Sequence, residues 1–134
     1  MNEKALRGLF PPKEQSMERR WLKWKKGRQE GSYSKMALIP GWLSRFLAAD
    51  AYLIRFPAGC SVMKHKDPVE PGYNHHRVNI TLKRANYRER MYILGPIKRW
   101  WRVEIFRPDL YEHGLQPISE SMWMLSLGCR TKAN

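Results

Sequence analysis

Cysteine is scarce in this chain: Cys60 and Cys129 are the only two among 134 residues. That excludes a disulfide-stapled scaffold and a CxxC-type zinc site. Acids are also in short supply, with 12 Asp and Glu against 25 Lys and Arg, for a formal net charge of +13. No apolar run approaches the ~20 residues needed to cross a bilayer as a helix. The opening stretch, MNEKALRGLFPPKEQ, lacks the apolar segment of a secretory signal. These absences give the expectation of a reducing, cytoplasmic setting with no membrane partner. Internal repeats and low-complexity tracts are missing too.

The charge that remains is a statement about partners rather than fold. An excess of this size favours a polyanion, either nucleic acid, through counterion release from phosphates, or an acidic protein surface. A solvated basic surface with no partner is the plainer alternative. Apolar residues make up 43% of the chain, enough for a packed core. The length predicts one domain over 1–134, with an N-terminal arm and helices at 1–49 and a β-core at 50–130.

Along the chain, residues 1–13 read as an arm closed by Pro11 and Pro12. Met17, Trp21 and Trp24 share one stripe at helical spacing, which predicts a basic helix over 14–27. A glycine-containing loop is expected at 27–35, then a short helix in WLSRFLAAD. After it the pattern changes to short alternating runs: strands are predicted at 51–56, 60–65, 75–84, 90–94, 100–106, 112–118 and 122–128. Many short strands with regular turns favour a sandwich or barrel over alternating βαβ units. On the 75–84 strand, Val78, Ile80 and Leu82 alternate with Arg77, Asn79, Thr81 and Lys83, the latter face being either solvated or functional. Trp100 and Trp101 are adjacent, so a strand would turn them to opposite faces, and at most one belongs to a core.

Histidine is rare as well, with four in the chain, and two of them fall into a pattern. His65-Lys66-Asp67 is an HxD pair at the end of a predicted strand, and His113 opens a later one. On a strand, residues two apart point the same way, so His65 and Asp67 could face one point. Two imidazoles and one carboxylate form the facial triad that holds Fe(II) with positions left open. Zinc is a chemical alternative. A hydrogen-bonding role at a strand edge is the plainer reading of His113.

Three ordered blocks extend the pattern. His65-Lys66-Asp67-Pro68 with His76-Arg77-Val78-Asn79-Ile80-Thr81-Leu82-Lys83 is similar to an "H-x-D … H-R-x-N-I-x-L-K" signature. Phe106-Arg107-Pro108-Asp109 through His113 is similar to "F-R-P-D-x-x-x-H", and Leu125-Ser126-Leu127-Gly128 to "L-S-x-G". On these blocks, spanning roughly residues 50–129, the chain resembles small bacterial and viral Fe(II)/2-oxoglutarate-dependent oxygenases. The resemblance implies a mainly β chain folded as a double-stranded β-helix, or jelly roll, with one or two N-terminal helices. It implies Fe(II) on His65, Asp67 and His113, and 2-oxoglutarate as co-substrate. The reaction it implies is hydroxylation of a protein or nucleic acid.

One departure stands out. Family members carry an arginine near the start of the last strand, where it pairs with the far carboxylate of the co-substrate. Here that place holds Met122 and Trp123. Arg77, Asn79, Lys83 and Arg130 are the replacement candidates. If a turn at 119–121 folds the last two strands into a hairpin, His113 lies opposite Leu127. Arg130 then falls beyond the metal end, roughly 26 Å from Met122 at ~3.3 Å per residue. That geometry favours the 75–84 strand, with Arg77 or Lys83 as the anchor. A binding protein that keeps the fold without the chemistry is the competing reading. For a polyanionic or acidic partner, Arg19, Arg20, Lys23, Arg88 and Arg99 are the candidate contacts.

Overall fold

The structure, a computed structural model, describes residues 21–26 and 33–133. The expected arm at 1–13, together with Arg19 and Arg20 of the expected basic helix, lies outside those residues. Within 21–26 the helical expectation is corrected. Trp24–Lys26 is a strand, β1, paired antiparallel with Ser34–Ala37, β2. Leu22 has φ 54°, which a right-handed helix cannot contain. Trp24 packs edge-on against Trp123 at 5.8 Å. Sheet pairing thus overrides the local helical periodicity.

Helix α1, Gly41–Leu47, matches the expected short helix and stops at Ala48, which adopts the left-handed conformation. The strands that follow are β3, Ala49–Phe56; β4, Val62–His65; β5, Tyr73–Lys83; and β6, Tyr92–Ile93. After them come β7, Lys98–Trp100; β8, Val103–Phe106; β9, His113–Leu115; and β10, Met122–Lys132. The single strand expected at 100–106 is in fact the hairpin β7–β8, with Trp100 paired to Val103. Its two-residue turn carries Trp101 at φ 52°. Glycine or asparagine normally marks such a turn, so the sequence shows no turn signal there.

The strands form two antiparallel sheets. One runs β1-β2-β3-β10-β5-β8-β7, and the other, smaller, runs β4-β9-β6. Facing sheets of this order make a jelly roll. The expected hairpin of the last two strands is corrected here: β9 pairs with β4 and β6, whereas β10 lies between β3 and β5 in the other sheet. Residues 116–121 cross between sheets, anchored where Gly59 N–H donates to the Ile118 carbonyl at 2.7 Å. Leu127 therefore stands opposite Ala51 and Val78, not His113.

The interior has two halves. One is apolar: Phe56, Cys60, Val62, Leu115, Ile118, Met122 and Met124 form a buried cluster. The other is polar. His75, Asn79, Thr81, Glu104, His113 and Ser126 are all buried. The polar face of β5 points inward from His75 to Thr81, and Leu82 is exposed. Both cysteines are free. No helix among the described residues is long and apolar enough to cross a membrane.

The two faces of the large sheet should respond differently to truncation. Phe56→Ala removes a ring from the apolar half and should cost about 3–5 kcal/mol. Leu127→Ala, on the outer face, should cost under about 1 kcal/mol. Urea denaturation followed by tryptophan fluorescence measures both; equal losses would contradict the assignment of faces.

Candidate metal centre

The β4–β9 pairing sets His65 directly opposite His113. Opposed residues on antiparallel strands have Cα atoms about 4.5–5.5 Å apart. The two rings accordingly meet, with centroids 4.4 Å apart. Asp67 lies two residues past His65, and its backbone N–H donates to the Pro108 carbonyl at 2.9 Å. Its Oδ1 then sits 3.3 Å from His65 Nε2 and 3.4 Å from His113 Nε2. One ligand atom from each of the three residues lies within 4.8 Å of the other two.

The tautomers are set from behind. His65 Nδ1 bonds the Met63 carbonyl at 2.7 Å, and His113 Nδ1 bonds the Tyr111 carbonyl at 3.1 Å. A carbonyl can only accept, so each Nδ1 carries the proton and each Nε2 is left to face Asp67. A hydrogen bond donated by Nε2 to the Asp67 carboxylate favours the protonated ring and raises the pKa of His65 above its ordinary value, against the effect of burial, with the Met63 carbonyl adding to the rise. Burial is the largest influence on Asp67 and pushes its pKa up. The hydrogen bonds of His113 and His65, with the charges of His113 and Arg77, outweigh it and hold Asp67 well below the usual carboxylate range. A carboxylate kept ionised between two imidazole nitrogens is the donor set a divalent cation such as Fe(II) takes.

The F-R-P-D block braces this arrangement. Arg107 grips Asp109 through two hydrogen bonds, of 2.9 and 2.6 Å, and reaches Asn74 at 3.1 Å. The turn they close presents the buried Pro108 carbonyl to Asp67, while Phe106 packs its ring 5.3 Å from that of His113. Sequence reading matched the block without seeing this bracing role. The pattern Arg-Pro-Asp, with two ionic partners flanking a proline, was the available signal.

Arg77 is the one expected co-substrate residue whose charge acts on the triad. Its guanidinium is bound by both oxygens of Asp50 at 2.9 and 3.0 Å, by Ser126 at 2.8 Å, and lies 3.2 Å from His75 Nε2. His75 has its pKa lowered, by burial first and then by Arg77, so it is the neutral acceptor of that contact. Gly128 lies between Asp50 and Arg77 in the register. A Cβ there would stand 2.6 Å from the Arg77 guanidinium and 2.8 Å from Asp50 Oδ1. The glycine of L-S-x-G is thus the gap through which the ion pair passes. Asp50 was missed by sequence reading because it closes the run taken as a helix.

The other expected residues are dispersed. Asn79 is buried, accepting from Ser126 Oγ at 2.6 Å and contacting Met91 sulfur at 3.7 Å. Lys83 is exposed: a register shift between Trp123 and Met124 sets it opposite Trp123, off the inner row. Arg130 turns outward, 3.5 Å from Glu70 and over the Tyr73 ring. The hairpin expected to carry Arg130 beyond the metal end does not form; Arg77 lies on the inner row and Arg130 outside it. Met122 is fully buried in the apolar half. Arg88 and Arg99 lie together at the far edge of the large sheet, and Lys23 precedes β1 at the opposite edge.

Comparison with solved structures follows from this geometry. A prolyl-4-hydroxylase from Pseudomonas putida superposes with a TM-score of 0.61 at 11% identity, over 99% of this chain and 89% of that one. A 2OG-Fe(II) oxygenase family oxidoreductase from Burkholderia pseudomallei gives 0.56 at 12% identity, over 100% and 82%. The fold is one that 2-oxoglutarate–Fe(II) oxygenases adopt. A cupin-2 domain from Rhodospirillum rubrum shares it more distantly, with a TM-score of 0.51 at 11% identity over 84% and 70%. No protein-family model matches the chain, and no curated protein matches its sequence.

The geometry predicts one divalent ion per chain. His65→Ala and Asp67→Ala should each abolish Mn(II) or Co(II) binding in calorimetry, since two remaining ligands hold such labile ions weakly. Unchanged stoichiometry in both variants would refute the site. Gly128→Ala should lower stability by about 1–3 kcal/mol, by forcing apart a largely buried, paired arginine, which thermal melts would register.

Proposed function

We propose that this protein is an Fe(II)- and 2-oxoglutarate-dependent oxygenase that hydroxylates a protein or nucleic-acid substrate. One observation carries the reading: both histidines have Nδ1 engaged by a backbone carbonyl, leaving two Nε2 atoms facing one ionised carboxylate. Ion pairs built only for stability do not need two tautomers set in this way. The shared fold supports the same class. When bound, iron, 2-oxoglutarate and oxygen would supply an oxidation that converts the oxo-acid to succinate and carbon dioxide and hydroxylates a substrate C–H bond.

The chain's own part is to bind and orient. His65, Asp67 and His113 would hold the metal. Arg77 is the inward cation suited to a carboxylate of the co-substrate. Asp50 already takes two of its hydrogen bonds, so co-substrate binding requires that Arg77 share or exchange this partner. That pairing, together with Met122 buried where the resemblance places an arginine, favours a second reading, a metal-binding protein without turnover.

A turnover assay separates them. Purified protein with Fe(II), ascorbate and 2-oxoglutarate should form succinate, detected by proton NMR; metal binding without any succinate would establish the second reading. Arg77→Ala should weaken 2-oxoglutarate binding to the Mn(II) form by about tenfold or more, the value of a lost charge-assisted contact. Arg130→Ala should leave it within about threefold. A larger loss from Arg130→Ala would displace Arg77 from this role.

A further inference from the structure

The stretch from Arg84 to Arg102 carries six basic residues, Arg84, Arg88, Arg90, Lys98, Arg99 and Arg102, against one acid, Glu89. The fold gathers them at the β7 edge of the large sheet. Arg102 reaches back to the carbonyls of Thr81 and Leu82 at 3.2 and 3.1 Å. The pKa of Arg84 is pulled down by burial and then by repulsion from Arg102, with Arg90 and Arg99 adding to it and Glu104 opposing. Each nearby acid has one carboxylate oxygen engaged within the protein and the other buried without a hydrogen-bond partner. Glu104 is buried against Arg99 at 3.3 Å, and Glu89 accepts from the Ser119 N–H at 2.7 Å. Crowding like charges costs stability, and an anionic partner would offset that cost.

Aromatic rings stand among these charges. Trp100 is 78% exposed and Trp101 75%. The Arg102 guanidinium lies over the Trp101 ring at 5.4 Å, and that of Arg88 over Tyr87 at 5.6 Å. Trp101 sits at φ 52° in the hairpin turn. A bulky residue there costs about 1–2 kcal/mol relative to glycine. Its ring buries too little to repay that cost in packing. Beside the hairpin, Arg88, Arg90 and Arg99, with Glu89 between the first two, rim a half-open cleft of about 410 Å³ with Met91, Ile93 and Ile97 in its wall. Small-ligand sites span roughly 300–1,000 Å³, so the space suits a nucleotide-sized group.

From this placement we infer that the β7–β8 hairpin and the adjoining cleft bind single-stranded nucleic acid. Trp100 and Trp101 stack on bases, and Arg88, Arg90, Lys98 and Arg99 meet phosphates. Every base offers a π-face, which a duplex keeps covered and a single strand exposes. An acidic protein would also meet the charges, but it offers no series of flat π-faces for two adjacent exposed rings to stack on, as a single strand does. The inference stands apart from the metal reading, because binding here needs no chemistry at His65, Asp67 and His113.

Fluorescence anisotropy of the full chain with labelled 12-nucleotide single strands, DNA and RNA, tests it, with the matching duplex and polyglutamate as competitors. Single strands should bind more tightly than duplex and quench tryptophan emission. Trp100→Ala with Trp101→Ala should weaken binding at least about tenfold, in keeping with ~1–3 kcal/mol per stacked base. Arg88→Ala with Arg99→Ala should reduce the salt slope by about 1.4, at ~0.7 per lost phosphate contact. Lys26→Ala with Lys35→Ala, at the opposite edge, should change affinity less than about twofold. Trp101→Gly is the decisive variant: its melting temperature should hold or rise while its affinity falls, which a structural tryptophan would not do. Tryptophan variants that bind like wild type, polyglutamate competing as well as oligonucleotide, or no binding to either strand at low salt would each overturn the inference.

Discussion

The candidate site depends on the pairing of β4 with β9. Three residues of β9, His113–Leu115, are enough to place one imidazole against another across the small sheet. That pairing forces β10 away from β9, because the partners of β9 on both sides are already β4 and β6. The last strand therefore crosses to the large sheet, where it contacts β3 and β5 along most of its length. The metal ligands and the inner row around Arg77 thus face each other from two sheets. A hairpin of β9 and β10 would have put them side by side on one.

The polar half of the interior follows from that facing. A guanidinium within a protein interior needs its N–H groups met. Asp50, Ser126 and His75 meet those of Arg77, and Asn79 in turn accepts from Ser126. The chain of contacts spans β3, β10 and β5, so it ties the centre of the large sheet laterally as well as lining the site. Gly128 makes it possible by leaving room for the ion pair. The apolar cluster around Phe56 and Met122 occupies the other half and supplies the packing that the polar half cannot.

Charge is arranged differently inside and out. Inside, each cation near the site has an anion: Arg77 with Asp50, Arg107 with Asp109. At the β7 edge, arginines outnumber the acids within reach, and exposed tryptophans stand beside them. An excess of +13 spread evenly would only raise the background field. The share of it gathered at the β7 edge, six basic residues against one acid over 84–102 with rings among the charges, makes a local surface with its own chemistry.

Much of the site was legible in the sequence. Residues two apart on a strand must share a face, so His65 and Asp67 could be paired by spacing alone. The ordered blocks then joined His113 to them, and the alternation of β5 set Arg77 on the same face as Asn79 and Thr81. The short strands after residue 49 were also readable, because alternation with turn residues is a local signal. What failed was non-local. Trp21 and Trp24 fit a helical stripe, yet pairing with β2 makes Trp24 part of a strand, since ladder bonds outweigh a weak propensity. The β7–β8 turn escaped notice because tryptophan sits where glycine is expected. The polar face of β5 carries no mark that says interior, and only Asp50, brought alongside from β3, allows Arg77 to be buried. By itself the sequence determined which residues could act together within a strand and what chemistry they could offer. Tertiary structure alone decided which strands are neighbours, since that depends on contacts between segments far apart in the chain.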